Sequence, residues 1–513
     1  MANNRLVYGA IILFAANLIN RVLGFIYQYL IMHFIGSEAY GLFHMVFPVY
    51  MTALVLSTAG IPLAISKMVA EKISLNRYRE AQRIFRTAFA TLFVSGLVVS
   101  VVLFSNTSHI VSQFFADQRV FIVFQICIPA IFVVSISSAF RGYFQGLQNM
   151  MPSALSQIIE QITRVTIGFS LSLKLLSQGA EWAAAGLAVG MLCGEITGLL
   201  SIGLHYLTQK RRKEQRNVVS QEPAFSILGK LFTLSLPITG SRLVSTGLSS
   251  LEALIIPRQL QVAGYTSASA TSLFGQLSGT AFTLLTFPSV FTFALATSLV
   301  PAISEAMVRQ DISLARSRCS DAVRYTMLLG IPSVLIINYF AQPLTHLFNS
   351  ADVALVLKIL SVGGIFSYLI QTTTGILQGM GKTHVPLINA LISGSIRVPL
   401  LFYLTGIPIW GLKGSAWSYV IGYVCFAVLN LAAIRREINF KFEFKAFLLQ
   451  PLLAGLGMLA VIHLFSTLVP DKIIVRLLAI ALGFLAYIII LILNGGVKAE
   501  DLKKIPYLKR FIR

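Results

Sequence analysis

The chain has 513 residues, of which 56% are hydrophobic and 12% are charged, and its formal net charge is +21. A water-soluble protein of this length needs far more polar surface, so the composition excludes one. Apolar runs long enough to cross a bilayer recur from end to end and predict an all-α polytopic membrane protein. The first apolar stretch is followed by no small-residue cleavage site and is predicted to be a retained helix.

Fourteen membrane spans are predicted, at residues 8–32, 41–66, 87–107, 120–140, 152–173, 183–207, 231–256, 273–301, 325–345, 353–378, 385–405, 414–434, 446–468 and 474–494. Most Lys and Arg residues fall in the connections after even-numbered spans and at the two termini. The positive-inside rule therefore predicts that both termini are cytoplasmic. Because the basic charge follows topology, we expect no nucleic-acid partner.

The predicted domains follow from a basic, polar linker and an internal repeat. Residues 209–224 form the linker between an N-terminal six-helix lobe, 1–208, and a C-terminal six-helix lobe, 225–435. Residues 436–513 add two helices and a basic cytoplasmic tail. An even number of helices in each copy keeps both lobes in the same orientation, so an axis along the membrane normal should relate them.

One phrase occurs in both lobes, at residues 142–165 and 375–398. Six residues of the first copy return at one fixed spacing in the second: Gly142, Gln145, Gly146, Ile159, Arg164 and Val165 correspond to Gly375, Gln378, Gly379, Ile392, Arg397 and Val398. Such duplication predicts two membrane lobes beside a substrate path. A second glycine pattern, at Gly186, Gly190 and Gly194, lies on one helical face and predicts close helix packing.

Arginines within spans are the main candidate binding residues. Arg21 lies in the first span and Arg242 in the seventh, which correspond in the two lobes. An intramembrane arginine persists where it faces a partner or a water-filled cavity. Two guanidinium groups suit a phosphate or diphosphate, which arginine binds bidentately. The alternative is that each arginine pairs with a carboxylate for stability.

Other intramembrane charges have more local interpretations. Glu160 and Arg164 are four residues apart on one helix and are predicted to form a structural ion pair. Arg397 has Ser393 at the position that Glu160 occupies, so it is retained as a substrate-binding candidate. Glu252 is a second candidate, which could bind a cation, carry a proton or pair with an arginine.

The segment 67–86 is basic and amphipathic and is predicted to lie at the inner membrane surface, where anionic lipid attracts it. Recruitment of substrate is a secondary interpretation. The cysteines and histidines have no metal-ligand spacing, with Cys127, Cys193, Cys319 and Cys425 each isolated in a predicted helix. We therefore expect no metal, disulfide or cofactor.

Three phrases resemble one family. Residues 20–25 (NRVLGF), 34–42 (FIGSEAYGL) and 60–67 (GIPLAISK) are similar to the stage V sporulation protein B group. This group belongs to the polysaccharide-transporter branch of the MOP flippase superfamily, which also contains the MurJ lipid II flippases. The resemblance implies a MurJ- or MATE-like fold and a substrate role for Arg21. MurJ-type proteins often continue with an Arg-Asp pair, where this chain has Tyr27 and Gln28.

The resemblance implies a flippase, not an enzyme, in a bacterial cell membrane. Its expected substrate is an undecaprenyl-diphosphate-linked precursor such as lipid II, moved to the outer leaflet by alternating access for peptidoglycan or spore cortex synthesis. Expected partners are this lipid-linked substrate, membrane lipids and the envelope-synthesis machinery, and a monomer is expected. The alternatives are a cation-coupled multidrug exporter, a membrane glycosyltransferase or polymerase, and a scaffold for envelope synthesis.

Overall fold

The computed structural model describes residues 2–210, 223–468 and 473–496. Within these ranges the chain is helical and contains no strand. The predicted linker 209–224 lies almost wholly outside the described residues, as does the basic tail from residue 497 onward. The all-α prediction is confirmed.

The first ten helices are α1 (Ala2–Leu30), α2 (Ser37–Thr58), α3 (Ile61–Ser74), α4 (Tyr78–Ser105), α5 (Thr107–Phe114), α6 (Val120–Gly146), α7 (Met151–Leu175), α8 (Ala180–Lys210), α9 (Ala224–Val262) and α10 (Ser267–Gln276). The others are α11 (Phe282–Thr286), α12 (Ser289–Val308), α13 (Ile312–Tyr339), α14 (Ala341–Leu347), α15 (Ala354–Gly379), α16 (His384–Gly406), α17 (Gly411–Ile438), α18 (Gln450–Leu468) and α19 (Ile473–Leu493). A π-helical turn, Ile31–Ile35, extends α1, and another, Leu277–Ala281, follows α10.

Eleven helical stretches of the described residues are long and apolar enough to cross a membrane. The other three predicted spans coincide with α7, α9 and α19, and none of these is among the eleven stretches. Helices α7 and α9 carry charged and hydroxyl side chains that lower their hydropathy. Helix α19 begins directly after residues 469–472, which are not among the described residues. The multi-pass architecture is thus established, while the count of fourteen stays a prediction.

The chain divides into two compact units: Met1–Thr280 with Phe348–Ser350 and Leu401–Leu412, and Ala281–Leu347 with Ala351–Leu400 and Lys413–Arg513. These units differ from the predicted lobes, because α9 and α10 pack with the first eight helices. The predicted boundary between the two repeated lobes, at the linker 209–224, therefore stays a prediction.

Glycines bring helices into contact within the first unit. A Cβ atom on Gly190 would overlap the backbone of Gly168, and one on Gly194 would lie 2.8 Å from the carbonyl oxygen of Glu160. The face that carries Gly186, Gly190 and Gly194 is thus pressed against α7, which confirms the predicted close packing. This contact fixes the positions of Glu160 and Arg164 on α7.

The repeated phrase has a packing role in each unit. A Cβ atom on Gly142 of α6 would lie 2.5 Å from the Pro62 carbonyl oxygen of α3. In the second unit, a Cβ atom on Gly375 of α15 would lie 2.9 Å from the Ala296 carbonyl oxygen of α12. The glycines therefore allow equivalent close contacts between helix backbones in both copies.

Candidate functional site

Arg21 belongs to a polar face of α1. Its side chain is exposed and lies within the membrane-crossing stretch Ala15–Ile35. Asn17, one turn earlier, is also exposed, and Gln28 lies two turns later on the same face. A polar stripe that is exposed on an apolar span is typical of a helix that lines an aqueous cavity.

The two residues that depart from the MurJ-type phrase serve packing in this chain. The amide of Gln28 donates a hydrogen bond to the Gly279 carbonyl oxygen at 3.0 Å. The hydroxyl of Tyr27 is so close to Gly168 of α7 that a Cβ atom there would overlap it. Both contacts hold α1 against neighbouring helices of the first unit, and they fix the direction in which Arg21 projects.

Arg242 lies on a similar polar face of α9. Its side chain is exposed, as are those of Ser245 and Ser249, which follow at helical spacings of three and seven residues. These positions share one side of the helix. Arg242 and Arg21 thus both project from exposed polar faces of long helices in the first unit.

Glu252 and Arg397 have different environments. Glu252 is only 7% exposed and does not share the exposed face of Arg242. Arg397 of α16 is half-buried, and its guanidinium carbon lies 5.3 Å from the centre of the Tyr419 ring of α17. This geometry is a cation–π contact. The substrate roles of Arg21, Arg242, Glu252 and Arg397 stay predictions.

A four-residue ion cluster occupies the interior of the first unit. Arg164 bonds Glu160 at 2.6 Å and Glu195 of α8 at 2.8 Å, and Arg141 of α6 bonds the second oxygen of Glu160 at 2.7 Å. Two cations and two carboxylates thus balance one another across three helices. The structure contains the predicted contact between Glu160 and Arg164 within this larger cluster.

The sequence interpretation missed Arg141, which lies 19 residues from Glu160 and shows no helical spacing with it. The contact between Arg164 and Glu195 of α8 was missed as well. No periodic pattern reveals either contact, because each joins different helices. The sequence indicates only that the ends of consecutive predicted spans lie near one another. It does not identify which of their side chains form contacts.

A second polar cluster joins the first turn of α2, the connection before α6 and helix α10. The Arg119 guanidinium bonds Asp117 and Glu38, each at 2.7 Å, and the Thr271 hydroxyl donates to Asp117 at 2.9 Å. Burial by itself would raise the pKa of Asp117, but the hydrogen bonds from Arg119 and Thr271 and the charge of Arg119 outweigh it and lower that pKa. Asp117 should therefore be ionised at neutral pH.

Metal-ligand clusters of three or more His, Cys, Asp or Glu residues do not occur among the described residues. The polar chemistry of the spans consists instead of guanidinium groups, carboxylates, hydroxyls and amides. Such groups can bind an anionic ligand or stabilise the helix bundle.

The structure is similar to solved transporters. A structure titled "Lipid II flippase MurJ, inward closed conformation" has a TM-score of 0.70 at 19% identity and covers 94% of this chain and 98% of the other. An inward-facing multidrug resistance MATE family transporter of the MOP superfamily has a TM-score of 0.68 at 16% identity and covers 82% and 94%. These likenesses establish the fold, which this chain shares with the MurJ and MATE structures.

Sequence comparisons place the chain more narrowly. Stage V sporulation protein B of Bacillus subtilis (strain 168) is 30% identical, with full coverage of both chains. Lipid II flippase MurJ of the same organism is 22% identical, with 86% of this chain and 84% of the relative covered. The family model described as "Polysaccharide biosynthesis protein" matches residues 6–307, and the MatE model matches residues 265–403. The chain belongs to the polysaccharide biosynthesis protein family, and the resemblance seen in its phrases is confirmed.

Proposed function

We propose that the chain is a flippase for an undecaprenyl-diphosphate-linked cell-wall precursor, lipid II or a related lipid-linked oligosaccharide. It would move this substrate from the cytoplasmic to the outer leaflet of the cell membrane, with both termini cytoplasmic. The observation that carries the proposal is the exposed, arginine-bearing polar face on α1 and on α9. Similarity to stage V sporulation protein B and to a lipid II flippase supports the same class of substrate.

The arginines divide into two groups with different roles. Arg164 already has two carboxylate partners, so the ion cluster serves stability. Arg21 and Arg242 project from exposed faces, where their guanidinium groups would bind the diphosphate through paired hydrogen bonds. The prenyl chain would remain in the bilayer, while movement of the two repeats would open the binding site alternately to each side of the membrane.

The membrane potential can assist this transport. With the cell interior negative, outward movement of an anion is favourable by about 2.3 kcal/mol per charge per 100 mV. The sequence contains no GxxxxGK[ST] phosphate-binding loop, so we infer a carrier that uses an ion gradient or the potential. The proposed setting is peptidoglycan or spore cortex synthesis, by a monomer alongside the envelope-synthesis machinery.

The test is the leaflet accessibility of a fluorescent undecaprenyl-diphosphate-linked sugar in proteoliposomes. Wild type should expose the lipid to an external quencher faster than empty liposomes do. Arg21→Ala should slow this at least tenfold, because a hydrogen bond to a charged group contributes about 1.5–3 kcal/mol. The matched control is Arg436→Ala, at an exposed position near the end of α17, which should transport as wild type does. Equal rates for Arg21→Ala and wild type would remove Arg21 from the mechanism.

A cation-coupled multidrug exporter is the second candidate. It is favoured by the MatE match over residues 265–403 and by the likeness to a MATE transporter. This activity would depend on an intramembrane acid, for which the buried Glu252 is the candidate. Drug-stimulated cation flux in the same proteoliposomes, abolished by Glu252→Gln and accompanied by no lipid translocation, would favour the exporter.

A further inference from the structure

A basic cavity lies between α3 and the first turns of α9, within the first unit. It is open, has a volume of about 610 Å³ and is lined by Lys67, Met68, Glu71, Lys72, Ser226, Gly229, Lys230, Thr233 and Leu234. Three lysines and one glutamate give the lining a positive balance. The hydroxyl groups of Ser226 and Thr233 add hydrogen-bonding capacity, so the lining suits an oxyanion.

The lysines are not equivalent. Lys72 bonds Glu80 of α4 at 2.7 Å, so a carboxylate outside the lining balances part of its charge. Lys67 and Lys230 are exposed and approach the cavity from opposite walls, one from α3 and one from α9. Glu71 is the one acid of the lining and would repel an anion. Because they are exposed and line opposite walls, Lys67 and Lys230 are the residues expected to contact the anion.

The cavity has a firm base. Ile227 and Leu231 of α9 are buried against Ile65 and Met68 of α3 in one apolar cluster. This contact holds the two walls together. Gly229 has no atom within 4 Å of the position that a Cβ atom would occupy, so the space above it is open. The cavity is thus preformed, and a ligand need not order it.

An exposed apolar face adjoins the basic lining on α9. Phe225 is 85% exposed, Phe232 43% and Leu236 66%, and their spacing of seven and four residues places them on one side of the helix. This side lies about a quarter-turn from the lining residues. A ligand that combines a phosphate with an acyl chain would match both surfaces at once.

We propose that this cavity binds the phosphate headgroup of an anionic phospholipid from the leaflet on the basic side of the membrane. Lys67 and Lys230 contact the phosphate, and an acyl chain lies along Phe225, Phe232 and Leu236. The predicted attraction of segment 67–86 to anionic lipid thereby acquires a defined partner segment on α9. The site is independent of the transported molecule, so it holds whether the protein flips a precursor or exports a drug.

The experiment is native mass spectrometry of the full-length protein in detergent, titrated with phosphatidylglycerol, phosphatidylcholine or inorganic phosphate. Wild type should bind its first phosphatidylglycerol more tightly than phosphatidylcholine. Each lysine near an anionic headgroup contributes about fivefold in affinity, so Lys67→Gln with Lys230→Gln should weaken phosphatidylglycerol about 25-fold. Glu71→Gln should strengthen it, an effect that misfolding does not produce.

The matched control removes two exposed lysines elsewhere, with Lys441→Gln and Lys445→Gln, and should leave the affinity within twofold of wild type. Equal binding of phosphatidylglycerol and phosphatidylcholine by wild type would overturn the proposal, as would an equal loss in the control variant. Phe225→Ser should weaken the lipid and leave inorganic phosphate unaffected. Full displacement of the lipid by millimolar phosphate, with no effect of Phe225→Ser, would assign the cavity to free phosphate and reject the lipid.

Discussion

Arg164 bonds Glu195 at 2.8 Å between α7 and α8, whereas Arg397, its counterpart in the repeat, lies over the ring of Tyr419. Both arginines also pack against a glycine of the following helix, Gly194 for Arg164 and Gly422 for Arg397. The duplicated phrase has thus kept the arginine and its helix contact while the polar partner has changed. A carboxylate neutralises the first arginine, whereas the second lies against an aromatic face.

We expect the pair of Arg164 and Glu195 to be structural, and a double-mutant cycle tests this. Arg164→Leu leaves Glu195 without its cation and should lower the free energy of unfolding by about 2 kcal/mol, since breaking a buried pair costs about 3–5 kcal/mol and this one is partly exposed. Arg164→Leu with Glu195→Leu should recover about 1 kcal/mol or more of the summed losses.

Denaturant midpoints in detergent measure these energies, and translocation by the double variant supplies the control. Because Arg141 still pairs with Glu160, the double variant should fold and transport. Additive losses would contradict coupling between the two residues. Loss of transport in a double variant of normal stability would instead place the cluster in the mechanism.

The contact of Arg397 with Tyr419 should depend on the aromatic ring. Tyr419→Phe keeps a ring face beneath the guanidinium, whereas Tyr419→Leu removes it and should lower the free energy of unfolding by about 1 kcal/mol. Tyr403→Leu is the matched control, because Tyr403 of α16 is 70% exposed. Thermal unfolding in detergent compares the three. Equal unfolding temperatures for Tyr419→Leu and wild type would show that the contact contributes nothing.

Local patterns in the sequence predicted the features that a single helix determines. The spacing of Glu160 and Arg164 predicted their contact, and the glycine series from Gly186 to Gly194 predicted close packing. Hydropathy located the spans but not the break in the second one, where Ala59 and Gly60 adopt left-handed backbone conformations. A Cβ atom on Gly60 would lie 2.9 Å from the Ser235 carbonyl oxygen, a contact that no local pattern contains.

Contacts between distant segments were beyond prediction for the same reason. Thr271 and Asp117 are 154 positions apart, and nothing in either local sequence indicates the other. The basic cavity likewise joins α3 to α9 across the predicted linker. The roles of Arg21 and Arg242 were predicted from their cost within a span, and the structure adds only that each lies on an exposed polar face.

Alanine at a glycine of the repeated phrase should destabilise the protein. In Gly142→Ala the new methyl group would lie 2.5 Å from the Pro62 carbonyl oxygen, so α3 and α6 must separate. We expect a loss of about 1–3 kcal/mol, the usual effect of overpacking. Gly203→Ala on α8 is the control, because no atom lies within 4 Å of its new methyl group. It should be neutral or stabilise the helix by up to about 1 kcal/mol.

Unfolding temperatures of the two variants in detergent provide the comparison. Cross-linking of cysteines introduced on the facing surfaces of α3 and α6 tests the separation predicted for Gly142→Ala. The variant should be cross-linked more efficiently than wild type by long cross-linkers only. If Gly142→Ala were as stable as Gly203→Ala, the contact between α3 and α6 would be looser than the structure indicates.

The cluster around Asp117 should make stability fall in acid. The pKa of Asp117 is lowered in the folded protein, so the unfolded chain, with an ordinary pKa of about 4, binds the proton more readily. The resulting stabilisation is fully present above pH 4 and is lost as the pH falls through the lower pKa of the folded protein.

Asp117→Asn removes this pH dependence, because an amide does not titrate in this range. The substitution also weakens the contact with Arg119. Unfolding temperatures between pH 3 and pH 6 should therefore decline more steeply for wild type than for Asp117→Asn. Parallel curves for wild type and Asp117→Asn would mean that Asp117 binds protons equally in the folded and unfolded states. Ionisation of Asp117 would then contribute nothing to stability.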